Sequence, residues 1–378
     1  MTTVNTPIKI GSLTVKNRLT FAPTVKFDWT DGSGLVIDRF VRHYEERAKY
    51  GCGLICVEAT CVLPDGRLAP TQLGLWEDNQ IEGHRKITEA CHRYGAAVLV
   101  QIHHGGINTH PQTGEPKGPS AIEWRRGQTQ AMTIDEIHHV REAFIAAAVR
   151  AKKAGYDGVQ LHACHGYLFN QFLSLTTNRR EDEYGCGSIE NRTRLACEVI
   201  AGIRRECGKD FIISARTPGA EPNLEDGIRA AELYVAAGCD YLQVSDGIGP
   251  YDVPEHDESL PYNKTAELGV KLHEHFRGRV PVSCVNGIIK EEQVKHLIEN
   301  ELVDTVDLAR ALLADPKFSD SVLNGGECVH CFNCKICFWS PFMPRRCPAV
   351  AKRHKEDPDC VDYTEDNRPI PDLSFLRR

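Results

Sequence analysis

Short apolar, β-branched runs alternate along this chain with longer stretches whose apolar positions recur every three to four residues. Eight runs read as strands: 19–22, 54–59, 97–101, 158–162, 211–216, 241–245, 280–285 and 305–309. Each is nearly uninterrupted in apolar character, as parallel strands buried on both faces should be. Between them, the stretch 134–154 places Ile137, Val140, Phe144, Ala147, Ala148 and Ala151 close to a helical period. Asp135 and Glu136 open it, Lys152 and Lys153 close it in keeping with the helix dipole, and Gly155 supplies a stop. The same reasoning predicts helices over 190–207, 226–237, 266–276 and 290–299. Two similar junctions, Ala154 to Gly158 and Ala237 to Tyr241, end a helix and open a strand. Eight strand–helix alternations over roughly 300 residues predict an α/β fold of the (β/α)8 TIM-barrel type, with an open doubly wound sheet as its competitor.

Composition narrows the setting. A chain of 378 residues accommodates one large barrel or two ordinary domains. Lys plus Arg is 45 and Asp plus Glu is 52, giving a formal charge of −7, so nucleic acid is not an expected partner. No run reaches the roughly 18–20 apolar residues of a membrane span. The opening residues, Met1 to Asn5, lack a signal-peptide pattern, so a cytoplasmic location is expected. Ten of the 16 cysteines are scattered from Cys52 to Cys284, mostly in apolar stretches, and read as small buried hydrophobes. Five crowd between Cys328 and Cys347, and Cys360 follows alone.

In a barrel of this kind chemistry gathers at the C-terminal ends of the strands. Those ends are polar here: Glu58 and Thr60, Gln101 to His104, His162 and His165, Arg216, Ser245 and Asp246, Asn286 and Gly287, and Arg310. Two histidines three apart just beyond a strand can converge on one carbonyl oxygen, and Tyr167 can donate a phenolic proton. That set suits reduction of an activated C=C bond. A divalent metal site, with Glu58 and Asp246 as acidic candidates, and ordinary packing histidines are the alternatives. The loops after strands seven and eight, with Asn286, Gly287, Ala309 and Arg310, occupy the usual phosphate seat of the fold.

Cys328-x2-Cys331-x2-Cys334-x12-Cys347 is a strong metal-ligand pattern. Three closely spaced thiolates followed by a distal Cys-Pro favour a [4Fe-4S] cluster over a structural zinc site, which more often pairs two CxxC knuckles. Chemistry alone leaves open whether Cys334 or Cys337 is the third ligand.

These features together resemble the Old Yellow Enzyme family of FMN-dependent oxidoreductases over roughly residues 5–350. The resemblance rests on residues 10–18, Pro23, 53–60, Gln101, 165–174, 178–185, 190–192 and 309–316. It implies an FMN across the barrel mouth. Pro23, Thr24 and Ala59 would line the flavin, and Gln101 and Arg216 would contact its ring. Asn286, Gly287, Ala309 and Arg310 would hold its phosphate. His162 and His165 would bind the substrate's carbonyl oxygen, and Tyr167 would protonate carbon opposite the hydride. Ala309 stands where the family usually has glycine.

The cysteine spacing resembles the iron–sulfur branch of that family, which includes trimethylamine dehydrogenase and 2,4-dienoyl-CoA reductase. The x12 interval selects Cys334, leaving Cys337 and Cys360 as extras. The resemblance thus implies a barrel over 1–325, a cluster segment over 326–350 and a tail over 351–378. The retained His162, His165 and Tyr167 favour an ene reductase acting on an enone, enoate or dienoyl thioester. Amine dehydrogenation or N-demethylation is the competing activity, with Phe27, Trp29, Tyr251 and Tyr262 available for an aromatic cation site. No GxGxxG in a strand–turn–helix context appears. Electrons are therefore expected from a separate ferredoxin or flavoprotein subunit, or directly from NAD(P)H, and a homo-oligomer is expected. A redox sensor is the non-enzymatic alternative.

Overall fold

The computed structural model describes residues 2–339 and 345–358. Cys360 and most of the 351–378 tail lie outside the described residues. Eight parallel strands close into a barrel. They are β1 (Leu19–Phe21), β2 (Leu54–Cys61), β3 (Ala97–His103), β4 (Gly158–His162), β5 (Ile212–Pro218), β6 (Tyr241–Ser245), β7 (Val282–Val285) and β8 (Thr305–Leu308). Every strand expected from the apolar pattern is present. β2, β3 and β5 run two residues further than expected, so polar residues at their ends are held by the sheet itself rather than by loops.

The helices form the outer ring. They are α1 (Asp38–Lys49), α2 (Ile81–His92), α3 (Ile134–Lys153), α4 (Leu168–Leu173), α5 (Ile189–Cys207), α6 (Leu224–Ala237), α7 (Lys264–Phe276) and α8 (Glu291–Glu299). Beyond β8 follow α9 (Arg310–Ala314), α10 (Phe318–Asn324) and α11 (Pro348–Glu356). α6 and α7 begin two residues earlier than periodicity alone predicts. In each an asparagine caps the first turn: Asn223 accepts from the Asp226 N–H and Asn263 from the Ala266 N–H. α3 opens with a reciprocal capping box between Thr133 and Glu136.

α1 and α2 were not visible in the apolar pattern. Their inward faces include His43 and Arg47 in α1, and His84 and Thr88 in α2, all buried. These polar positions interrupt the apolar ones, Phe40, Tyr44 and Ala48 in α1 and Ile87, Ala90 and Cys91 in α2, on the same inward faces.

A hairpin pairing Ile8–Ile10 with Leu13–Val15 packs Ile8, Ile10 and Val15 against Leu54, Ala97, Leu99, Ile212 and Tyr241 at the strand starts. This plug seals the N-terminal end of the barrel and leaves the opposite end open for a site. Each large apolar side chain buried this way contributes roughly 1.5–3 kcal/mol.

After β8, Gly325 takes a left-handed conformation (φ 79°) that ends α10. Among the described residues, 326–339 run without regular structure past four of the cysteines. The chain re-enters a helix at α11, with Cys347 at its N-cap and Pro348 in the first helical position. Val329, Ala314 and Ala349 form a small apolar cluster touched by Cys331 and Cys347. No helix among the described residues is long and apolar enough to cross a membrane.

Candidate functional site

Strand register sets the heights of the polar residues inside the barrel. His162 pairs with Arg216, Arg216 with Gln243, and Gln101 with Gln160. A buried ladder follows from this. Gln101 Nε2 donates to Gln160 Oε1 at 2.6 Å, and Gln160 Nε2 donates to Gln243 Oε1. Gln243 Nε2 then donates to Asp307 Oδ2 at 2.8 Å, and Arg216 Nη1 lies 3.3 Å from the same oxygen. Burial pushes the Asp307 carboxyl up to about 6, while Arg216 pulls it the other way. Arg216 Nε stays buried with no hydrogen-bond partner among the described residues. An unsatisfied cationic donor at the mouth of a barrel is costly unless a ligand meets it.

Above this ladder stands a chain of histidines. His103 Nδ1 lies 3.1 Å from His162 Nδ1, and His162 Nε2 lies 2.8 Å from His165 Nδ1. His165 Nε2 lies 2.7 Å from Ser245 Oγ. Desolvation holds His103 and His162 well below the ordinary imidazole range, and His165 is lowered in the same direction although it lies open at the mouth. All three are therefore neutral at ordinary pH, each with a single N–H, and both ring nitrogens of His162 and of His165 are engaged along this chain. His103 was visible in sequence only as a polar strand end. The structure makes it the buried partner of His162, with its Nε2 unpartnered among the described residues.

Tyr167 caps the short helix α4 and packs edge-on between His103 (4.5 Å between ring centroids) and His162 (4.6 Å). Burial raises its pKa, so the phenol keeps its proton. Two neutral imidazoles beside a protonated phenol can bind an oxyanion and deliver a proton within one mouth.

A cavity of about 240 Å³ at the ends of β5 to β8 gathers six of the expected residues: His165, Arg216, Asn286, Gly287, Ala309 and Arg310. Asn286 and Gly287 both have positive φ (84° and 73°), and a Cβ on Gly287 would lie 2.8 Å from Asn263 Nδ2. Only glycine fits that turn without displacing its neighbour. The unmet Arg216 Nε, the left-handed turn and the Arg310 guanidinium suit a flavin with its phosphate at this end. Arg310 Nη1 also donates to Asn333 Oδ1 at 2.8 Å, between Cys331 and Cys334.

Pro23 and Thr24 lie half-buried just past β1, and Ala59 is buried in β2 beside a register shift between Val57 and Thr60. Thr24 accepts twice from the Lys26 ammonium, at its carbonyl and at its hydroxyl. The Lys26 N–H donates to Glu58 Oε1 at 2.7 Å, and Tyr44 Oη donates to Glu58 Oε2 at 3.0 Å. Glu58 is thus committed to structure, which removes the acidic base that a metal hydrolase would need there. Asp246 is likewise engaged by Thr265 Oγ1 at 2.9 Å.

Burial raises Glu58 to about 7 from its ordinary 4.5, with Lys26 opposing. The folded protein therefore holds this proton where the unfolded chain has released it. The stability tied to the group is full below about pH 4.5 and declines as pH climbs through about 7. Glu58→Gln should gain stability relative to wild type between pH 5 and pH 8, read as the difference in Tm. A difference that stays constant across that range would count against the raised value.

The cysteines divide. Cys331, Cys334 and Cys347 lie within electrostatic reach of one another through Cys331 and of Cys337. Cys328 stands apart, its Sγ 3.5 Å from Ser321 Oγ and grouped with Glu291 and His330. Burial raises all four expected ligands, with Cys347 and Cys328 pushed up to about 12 and 11. Thiolates form in such surroundings when a metal takes the proton's place, so the donor chemistry fits a soft metal or an iron–sulfur cluster. Cys328 Sγ additionally lies beside Ser321 Oγ.

Comparison with known proteins matches this geometry. Residues 4–327 fit the model of the NADH:flavin oxidoreductase / NADH oxidase family. An NADH oxidase of Thermoanaerobacter brockii is 36% identical over 345 residues, covering 87% of this chain and 52% of that protein. A 2-naphthoyl-CoA reductase in complex with 2-naphthoyl-CoA superposes with a TM-score of 0.81 at 28% identity, covering 88% of this chain and 54% of that one. The old yellow enzyme homologue of Zymomonas mobilis superposes with a TM-score of 0.73 at 26% identity, covering 86% and 93%. The chain thus spans about half the length of the first two. Strand order, site and likeness together define a barrel of the Old Yellow Enzyme type. The chain belongs to the NADH:flavin oxidoreductase / NADH oxidase family.

Proposed function

We propose that this chain is an ene reductase that carries FMN and a [4Fe-4S] cluster and reduces the activated C=C bond of an enone, enoate or dienoyl thioester. The observation that carries this reading is the neutral His162–His165 pair beside the protonated phenol of Tyr167. When bound, FMN supplies hydride from N5, and the cluster passes single electrons to or from it. His162 and His165 donate N–H groups to the substrate oxygen as negative charge develops there, which requires their rings to give up the bonds to each other and to Ser245. Tyr167 hands its phenolic proton to carbon. Gln101 and Arg216 contact the flavin ring, and Pro23, Thr24 and Ala59 line it. Asn286, Gly287, Ala309 and Arg310 take the phosphate.

Cys328, Cys331, Cys334 and Cys347 ligate the cluster, and the Ser321 hydroxyl stays within reach of the Cys328 sulfur. On this reading residues 1–325 form the barrel, 326–350 the cluster segment and 351–378 the tail, in a homo-oligomer. The family's name supports NADH or NADPH as donor, and a ferredoxin or flavoprotein subunit is the other source. The thioester class is supported by the likeness to the 2-naphthoyl-CoA reductase.

Amine oxidation is the weaker reading, because two of the aromatics it would use are engaged elsewhere. Trp29 packs edge-on against Phe40 at 5.1 Å and carries Arg39 at 4.2 Å, and Tyr262 packs against His296.

Anaerobically purified protein should contain FMN, iron and sulfide. Its chemically reduced flavin should be reoxidised by members of a panel of enones, enoates and enoyl thioesters. Cys347→Ser should lose the broad iron–sulfur absorption. Flavin reduction by methylated amines, with no reoxidation by any unsaturated carbonyl, would overturn the reading.

A further inference from the structure

Between β3 and α3 the chain makes an excursion over the mouth that carries a small hairpin, Glu123–Trp124 paired with Gly127–Gln128. Its two turn residues are Arg125 and Arg126, both exposed. Gly127 takes the positive φ (111°) that this turn requires, so nothing in the backbone asks for arginine at either position. Placing two like charges side by side costs free energy. Neither guanidinium has a carboxylate partner among the described residues, and the one acid on the hairpin, Glu123, faces Gln128 across the ladder. The only contact shown for either is that of Arg125 with the Trp124 ring, 5.7 Å away.

The hairpin is fastened beside the proton donor. Trp124 Nε1 donates to Asn108 Oδ1 at 2.9 Å, and Asn108 Nδ2 donates to the Gly166 carbonyl at 2.7 Å, one residue before Tyr167. Gln171 of α4 clamps the same excursion. It donates to the Gly105 and Gly166 carbonyls and accepts from the Ile107 N–H. The two positive charges are therefore held near the reacting end of the site. They act on the Tyr167 phenol, partly opposing the upward effect of burial. On a chain of net charge −7 they form a local spot attractive to anions.

We propose that Arg125 and Arg126 are specificity determinants that select substrates bearing an oxyanion group remote from the C=C bond. That group is either a carboxylate or the phosphates of a nucleotide-bearing thioester. This inference rests on the proposed ene-reductase reading for the position of the substrate, but its test is a binding measurement. A failure of turnover and a failure of anion selection are therefore separable.

Isothermal titration of the FMN-loaded protein would use two matched pairs of probes. One is crotonyl-CoA against the crotonyl thioester of N-acetylcysteamine, and the other is 4-carboxybenzylideneacetone, whose carboxylate lies across the ring from the C=C bond, against its methyl ester. The wild type should prefer the anionic member of at least one pair, and the pair that responds identifies the source of the anion. Exposed ion pairs of this kind give small gains each, so the preference should be about tenfold for two arginines and should shrink in high salt. In the Arg125→Gln/Arg126→Gln variant that preference should collapse. The proposal is overturned if wild type binds the charged and neutral members of both pairs alike, or if the variant keeps the wild-type preference.

Discussion

Tyr167→Phe is expected to slow reoxidation of the reduced flavin by an unsaturated carbonyl about 10²–10⁴-fold, the usual contribution of a positioned general acid. The substitution removes one oxygen and leaves the ring. That ring sits edge-on between His103 and His162, and phenylalanine preserves both contacts. The fold, the flavin content and the rate at which NADH or NADPH reduces the flavin should therefore be unchanged. The phenol is well suited to the task. Burial holds its pKa above the ordinary tyrosine value, so the proton is present at neutral pH, and no other hydrogen bond competes for it among the described residues. Stopped-flow measurement of the two half-reactions separates these effects. An oxidative half-reaction as fast in the variant as in wild type would remove Tyr167 from the mechanism.

Asp307→Ala should be the most damaging single change to stability, at about 3–5 kcal/mol, the range for stranding one member of a buried ion pair. Arg216 is 5% exposed on its side chain and Asp307 not at all, so water cannot take the lost partner's place. The cost extends along the ladder, because Gln243 Nε2 also loses its acceptor. Asp307→Asn keeps an acceptor oxygen for one of the two donors and should fall between alanine and wild type. Denaturation by urea, with FMN content followed in parallel, checks the order. A loss below about 1 kcal/mol for the alanine variant would mean that Arg216 is satisfied by other means.

Much of this architecture could be read from the chain, for a physical reason. Parallel strands buried on both faces cannot hide their apolar runs, so all eight were legible. α1 and α2 were not, because His43, Arg47, His84 and Thr88 occupy inward positions where periodicity looks for hydrocarbon. The proposed catalytic set was legible because His162, His165 and Tyr167 lie within six residues, at the end of a strand. Gln160, Gln243 and Asp307 look unremarkable in sequence. Their partners along the ladder lie 59 to 91 residues away, and only barrel closure brings them together. His103 needed the fold in the same way, since nothing local marks it as the neighbour of His162. For the cysteines, spacing indicated a metal segment but could not show that the Cys328 thiol turns toward Ser321 and Glu291.

The bond from Arg310 to Asn333 has a consequence for how the holoprotein is put together. Arg310 lies at the phosphate end of the mouth, and Asn333 sits in a left-handed conformation (φ 49°) between two cysteines. On the proposed function, one side chain is thus shared by the phosphate seat and the cluster segment. Ordering either site orders part of the other, and free-energy reciprocity then requires each occupant to favour the other by the same factor. If both proposed centres are loaded, their maturation should then be coupled in both directions. A protein starved of iron should hold its flavin less tightly, and one starved of flavin should build its cluster less readily.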